Sequence, residues 1–314
     1  MAIDPQAQAV LDLIRQSGSP PYETLPATAA RELYLGARAI FSPDPPEVAE
    51  VHSLVASGPH GAIPMRLYRP LGSAAADVLP ALVYYHGGGW VIGDLDSHDV
   101  VCRQLANRAG CAVISVDYRL APEHKFPAAV DDAFAALLWV RSEAEALRID
   151  ATRLAIGGDS AGGNLSAVVA LRARSAEIQG LRLQVLIYPA TDFAGHYESQ
   201  ERLAEGHLLT RANQAWFRGL YLRDEADYSD WRASPLRAAS LAGLPPAYVL
   251  TAGFDPLSDE GEAYAARLEA EGVTVTRRVF PGQIHGFITM GKAIGAAEIA
   301  ITEAADAVKA AFAG

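Results

Sequence analysis

Leu154-Ala155-Ile156-Gly157-Gly158-Asp159-Ser160-Ala161-Gly162-Gly163-Asn164 joins a short apolar run to a helix-like stretch, Leu165 to Arg174. The spacing predicts a strand, a sharp turn and a helix, with Ser160 at the apex of the turn. A serine hydroxyl attacks a carbonyl only if it is exposed, approachable and close to a group that takes its proton. A glycine-flanked strand-to-helix turn meets the first two needs, and Gly158 and Gly162 supply the small positions of Gly-x-Ser-x-Gly. In a chain with 27 glycines the pentapeptide alone decides little. The strand before it and the helix after it give it weight.

A second glycine run, His86-Gly87-Gly88-Gly89-Trp90, ends another apolar stretch, Pro80 to Tyr85. Glycines placed after a strand expose backbone N–H groups, and acyl transfer needs such donors for the oxyanion of its tetrahedral intermediate. The amides of Gly88, Gly89 and Ala161 are the candidates for that hole. The same glycines could form a flexible loop or a phosphate cradle. However, no Lys-Ser or Lys-Thr follows either run, and neither matches Gly-x-Gly-x-x-Gly.

In this architecture the proton acceptor follows the serine in the order Ser, Asp or Glu, then His. Of eight histidines, His207 and His285 are the downstream candidates. His285 is the better base, because it follows the strand-like Val273 to Phe280 and the turn Pro281-Gly282. His207 has no strand leading in. Asp255 comes after the apolar Ala247 to Thr251 and the turn Ala252-Gly253-Phe254, leaving room for one helix, Leu257 to Glu271, and one strand before His285. Asp192, after Leu183 to Pro189, is the alternative acid, and Asp259 suits the first turn of a helix. Ser160, His285 and Asp255 together imply two-step acyl transfer through an acyl-enzyme. The sequence calls for no metal or other cofactor: it has no His-Glu-x-x-His or Cys-x-x-Cys, and its two cysteines, Cys102 and Cys111, cannot make a tetrahedral zinc site alone.

Four segments carry a resemblance. They are His86 to Trp90; Asp117 to His124 with Phe126 to Asp132; Gly158 to Asn164; and Asp255-Pro256-Leu257 with His285-Gly286-Phe287. In this combination, from Tyr84 to Phe287, the chain resembles the hormone-sensitive lipase family of α/β-hydrolases, the bacterial family IV esterases, in the subgroup with Gly-Asp-Ser-Ala-Gly. The resemblance implies a preference for short- to medium-chain acyl esters and a cap over the active site. It makes His86, Gly87, Asp159 and Glu260 supporting positions, with Glu260 supporting the triad loop. Ser258 stands where such sequences often carry Arg, and Gln283-Ile284 precedes His285 without a familiar pattern. A homodimer through the last strand or the C-terminal helix, Ala296 to Phe312, is compatible with the family. The 118–132 motif reads as a structural crossover loop entering a helix over 128–146.

Strand-like runs at 51–55, 62–68, 82–85, 112–116, 154–156, 183–188, 247–250 and 273–279 alternate with helices from the third onward. They predict an α/β fold with a mostly parallel sheet of about eight strands, covered by helices on both faces, in one catalytic domain over 1–314. Two regions, about 1–41 and 197–231, do not fit the alternation and are the expected cap. In the second, Trp216, Phe217, Leu220 and Tyr221 form an aromatic stripe that suits core or substrate wall. Trp90 and Phe287, beside the catalytic loops, are candidates for the substrate pocket or for simple bracing.

The net charge of −11 and the lack of a basic stripe exclude a nucleic-acid partner. No secretory pattern or membrane-length apolar run is found, so no stable membrane insertion, a cytoplasmic location and reduced cysteines are expected. The expected partner is a small-molecule ester. Rival readings are a related acyl hydrolase, namely an amidase, lactonase or deacetylase, and a non-catalytic receptor on the same scaffold.

Overall fold

The computed structural model describes residues 2–314. Eight strands form one sheet in the order β1-β2-β4-β3-β5-β6-β7-β8. They are β1 (Glu50–Gly58), β2 (Gly61–Arg69), β3 (Leu79–Tyr85), β4 (Ala112–Val116), β5 (Ile149–Asp159), β6 (Leu181–Ile187), β7 (Ala247–Phe254) and β8 (Val275–Ile284). β1 and β2 form a hairpin, and β2 runs antiparallel to β4. From β3 onward every pairing is parallel. The apolar runs of the central strands are what two-sided burial requires. In β3 the pleat sends Ala81, Val83 and Tyr85 into one core and Leu82 and Tyr84 into the other.

The first face is covered by α4 (Ala128–Ser142), α6 (Ala161–Ser175) and α9 (Ser258–Ala270). The second is covered by α3 (Asp99–Ala109) and α10 (Ala296–Ala313), with α1 (Pro5–Ser17) beside them. Proline at N1, Asp4 accepting from the Gln6 N–H at 2.7 Å and Gly18 in the left-handed region delimit α1. The remaining helices are α2 (Ala27–Phe41), the four-residue α5 (Ala144–Leu147), α7 (Glu198–Arg202) and α8 (Arg211–Tyr221). The helix expected over 128–146 is interrupted at Glu143 and divides into α4 and α5.

Two expected turns are strand instead. Gly253 lies inside β7 and Pro281-Gly282 inside β8, and the ladder shifts register between Ala252 and Phe254. A Cβ on Gly253 would lie 2.1 Å from the Pro281 carbonyl oxygen, so the bare glycine lets the two strands close while the shift absorbs the proline. The extension carries the chain to Ile284 and delivers His285 at the end of β8. No helix among the described residues is long and apolar enough to cross a membrane.

Candidate active site

Ser160 lies between β5 and α6 with φ +55° and ψ −116°, a backbone conformation that costs energy for a residue with a side chain. The surroundings enforce it. The Ser160 N–H donates to the Ile187 carbonyl at 2.8 Å, and the Asn164 N–H donates to the Ser160 carbonyl at 3.0 Å. A Cβ on Gly158 would approach the Tyr85 carbonyl oxygen to 2.2 Å, and one on Gly162 to 1.8 Å. The two glycines of the motif are therefore demanded by backbone packed on backbone. Asn164, which the sequence reading left unused, donates to the carbonyls of Ala190 at 2.9 Å and Ala233 at 2.7 Å, tying the turn to the loops above it.

The Ser160 hydroxyl reaches His285 Nε2 at 2.9 Å, and His285 Nδ1 donates to Asp255 Oδ2 at 2.6 Å. Asp255 is fully buried, and its Oδ1 accepts from the Leu257 N–H at 2.9 Å. The arrangement can pass a proton from Ser160 to His285 while Asp255 fixes the imidazole tautomer. Neither alternative hydrogen-bonds to Ser160, His285 or Asp255. Asp192 pairs with Arg237 at 2.5 Å and accepts from the Tyr197 hydroxyl at 2.9 Å, and His207 packs against Phe254.

Beside the serine, the Gly88 carbonyl accepts from the N–H groups of Val91 and Ile92 at 3.1 and 2.9 Å, folding His86 to Trp90 into a tight turn. Gly88, Gly89 and Trp90 all have positive φ. A Cβ on Gly88 would lie 2.0 Å from the Ile92 carbonyl oxygen, and one on Gly89 would run into the Phe217 ring. Within the described residues the amides of Gly88, Gly89 and Ala161 donate to no protein group. Three unspent donors beside a serine hydroxyl can stabilise an oxyanion.

Beneath this turn is a buried polar network. Asp159 accepts from the Tyr84 hydroxyl at 2.8 Å and the Gly87 N–H at 3.0 Å, and pairs with His98 Nε2 at 3.1 Å. Burial alone would raise the Asp159 carboxyl, but the attraction of His98 and the hydrogen bonds from His98 and Tyr84 outweigh it and hold the group below its ordinary value. Burial, with the neighbouring His98, lowers His86 to about 4 and keeps it neutral. His86 Nδ1 donates to the Gly87 carbonyl at 2.8 Å, and its ring stacks on Tyr118 at 4.3 Å. His98 was not foreseen, because it sits in a turn without periodic pattern.

The crossover motif proves to be bracing. The Tyr118 hydroxyl donates to the His86 carbonyl at 2.7 Å, and the Ala121 N–H donates to the Trp90 carbonyl at 2.8 Å. Arg31 of α2 grips the same loops, donating to the carbonyls of Val91 and Ala121, each at 2.8 Å, and pairing with Glu123. Glu260 is buried and hydrogen-bonds to neither His285 nor Asp255. Its Oε1 accepts from the Thr191 N–H at 2.6 Å and the Asp192 N–H at 3.3 Å, and Gln200 Nε2 donates to its Oε2 at 3.2 Å. It fastens the first turn of α9 to the loop after β6, rather than holding the acid itself. Burial, assisted by the charges of Asp192 and Asp255, pushes it up to about 8 against those N–H donors.

Above Ser160 opens a cavity of about 570 Å³, of a size that suits a small organic ligand. Trp90 lines it, stacked on Tyr221 at 4.3 Å, as does Phe217 of α8. Phe287 does not. It is wholly buried between Tyr188 and Phe280, so its candidacy for the pocket gives way to bracing, because the chain after Gly286 turns inward to meet α10. Of the region 1–41, Tyr22, Tyr34 and Arg38 line the cavity, whereas α1 buries Ala7, Val10 and Leu11 in the second core and contributes no lining residue. Among the described residues no cluster of His, Cys, Asp and Glu could hold a metal ion, and Cys102 and Cys111 are separate buried thiols.

The family model described as an alpha/beta hydrolase fold matches residues 82–289. The chain is 43% identical to the carboxylic ester hydrolase LipN of Mycobacterium tuberculosis, over 98% of this chain and 83% of that protein. It is 41% identical to an ethyl acetate hydrolase of Pseudomonas putida, over 98% of this chain and 99% of that one. An ester hydrolase from the metagenome of Lake Arreo, solved in complex with a bipyridine phosphonate derivative, superposes with a TM-score of 0.96 at 47% identity, over 99% of this chain and 100% of that one. The chain belongs to the hormone-sensitive lipase family of α/β-hydrolases.

Proposed function

We propose that the protein is a carboxylesterase that hydrolyses short- to medium-chain acyl esters. The observation that carries this reading is the unbroken relay from Ser160 through His285 to the buried Asp255, set beside three amides with no protein partner. In the first half-reaction Ser160 Oγ attacks the ester carbonyl and its proton passes to His285 Nε2. The oxyanion is held by the N–H groups of Gly88, Gly89 and Ala161, and collapse expels the alcohol with the proton from His285. In the second, water loses its proton to His285 and attacks the acyl-enzyme, releasing the acid and restoring Ser160. Asp255 keeps Nδ1 protonated and stabilises the imidazolium throughout. The Asp159 network supports the glycine turn through the Gly87 amide, and Glu260 supports the triad loop by fastening the start of α9 to the loop after β6. As cover over the site we propose Tyr22 to Phe41 together with 197–231, with Trp90 and Phe217 bounding the acyl chain.

The test is a series of chromogenic esters of increasing acyl length beside matched amides, with Ser160→Ala as control. Turnover that peaks at short or medium chains and vanishes in the control is expected. Faster turnover of the amides, or folded protein that binds esters without hydrolysing them, would replace this reading with the amidase or the receptor.

A further inference from the structure

α2 carries two arginines seven residues apart, which places them on one stripe of the helix. Their fates differ. Arg31 is fully engaged, with Glu123 and two carbonyls as partners. Arg38 is only 6% exposed, yet its Nε has no hydrogen-bond partner, and its guanidinium pairs with no carboxylate among the described residues. Its guanidinium carbon lies 5.0 Å over the ring of Tyr34. A position in the last turn of a helix suits a cation, but that preference is satisfied as well by a side chain in solvent. Arg38 instead lines the same cavity as Ser160.

Buried guanidinium groups are paired as a rule, since an unpaired one gives up its hydration without return. None of the buried carboxylates lining the cavity is free, and the other two that line it, Glu201 and Glu225, are exposed. Asp159 is occupied by His98, Tyr84 and the Gly87 amide, and Asp192 by Arg237 and Tyr197. Glu260 is spent on the amides of Thr191 and Asp192 and on Gln200. The Tyr188 hydroxyl, beside His285, is likewise buried and unpartnered. A cation with five donors in a fixed fork, facing a cavity that holds no free buried carboxylate, is complementary to a planar anion supplied from outside.

We propose that Arg38 is the anchor of a carboxylate subsite in this cavity, and that the substrates favoured are esters carrying a second, ionised carboxylate. The guanidinium pairs with that carboxylate while the ester carbonyl lies at Ser160. The chemistry is unchanged: water cleaves the ester to acid and alcohol, and the anchored carboxylate takes no part. The inference rests on the esterase reading and narrows its substrate class. The chain's net charge of −11 works against any anion, so a preference for one reports a local cation.

The test compares kcat/KM for charged and neutral members of two pairs. p-Nitrophenyl hydrogen adipate against its methyl-capped diester places the charge on the acyl side, and 4-acetoxybenzoate against its methyl ester places it on the alcohol side. In the unaltered protein the anion is expected to be favoured about 10-fold or more in at least one pair, mainly through KM. Arg38→Met removes the preference and Arg38→Lys retains part of it, while turnover of the neutral esters persists. A neutral preference in both pairs, or a ratio unchanged in Arg38→Met, overturns the subsite and leaves the esterase reading standing. Failure to hydrolyse even the neutral esters overturns both. Should Arg38→Met not fold, the unaltered protein decides by inhibition of neutral-ester hydrolysis. Adipate must inhibit more strongly than adipamide, its uncharged and non-ester counterpart, and equal inhibition refutes the proposal.

Discussion

The floor of the site and the cover proposed for it are built on different physical terms. On the floor, β5, the Ser160 turn and the His86 to Trp90 loop press main chain against main chain. Gly158 and Gly162 have no room for a Cβ against Tyr85, nor has Gly88 against Ile92. In the cover, Tyr22, Tyr34, Arg38 and Phe217 meet the cavity through side chains carried on separate helices and turns. Backbone contact admits one residue type at a fixed spacing, whereas a side-chain wall admits many. The first should therefore fail abruptly under substitution, and the second should retune.

The largest expected effect is chemical. Ser160→Ala and His285→Ala should each lower kcat by roughly 10⁴-fold or more, with the double variant hardly worse, because the relay acts as a unit. Additive losses in steady-state kinetics would break the claim that the floor works as one device. Next comes Gly162→Ala, whose new methyl has only the Tyr85 and His86 carbonyls to meet. It should lose at least about 3 kcal/mol in urea unfolding, or fail to fold. A loss under about 1 kcal/mol would show that the floor can yield.

Glu260 joins the two regions, and its titration gives a signed test. Burial lifts its carboxyl from an ordinary 4.5 to about 8. Between those values the folded chain keeps a proton that the unfolded chain has released, so this group's contribution is full below the window and is lost as pH rises through it. Glu260→Gln should match the parent near pH 5 and gain stability over it toward pH 8, read from urea midpoints at several pH values. A difference that stays flat with pH would refute the buried, protonated carboxyl. The smallest effect is expected in the cover. Phe217→Ala should shift the acyl-length optimum toward longer or bulkier chains by less than about 10-fold in kcat/KM, with about 1 kcal/mol of stability lost. An unchanged length profile would remove Phe217 from the acyl wall.

The same contrast explains what could be read from the chain. The sheet, its parallel order and the Ser160, Asp255 and His285 positions were legible because apolar runs and glycine spacings record local constraints. The strand ends were less so. Pro281 reads as a turn, yet β8 runs through it because Gly253 on the neighbouring strand makes the space. By adjacency to His285, Phe287 read equally as pocket or as bracing, and a tight turn at Gly286, with φ +76°, sends it inward to brace. His98 and Arg38 left almost no trace, since Asp159, the partner of His98, lies 61 residues away, and Arg38 faces an open cavity with no carboxylate paired to it among the described residues. For α2, the seven-residue interval between Arg31 and Arg38 was the one available hint.

The esterase reading depends on Ser160 as the acyl carrier of a histidine-activated relay. It is tested most directly by intact-mass and peptide analysis after exposure to a p-nitrophenyl phosphonate, which traps an activated serine covalently. One adduct per chain is expected on the peptide holding Ser160, slowed strongly in His285→Ala and absent in Ser160→Ala. An adduct on another residue, or undiminished labelling of Ser160→Ala, would contradict it.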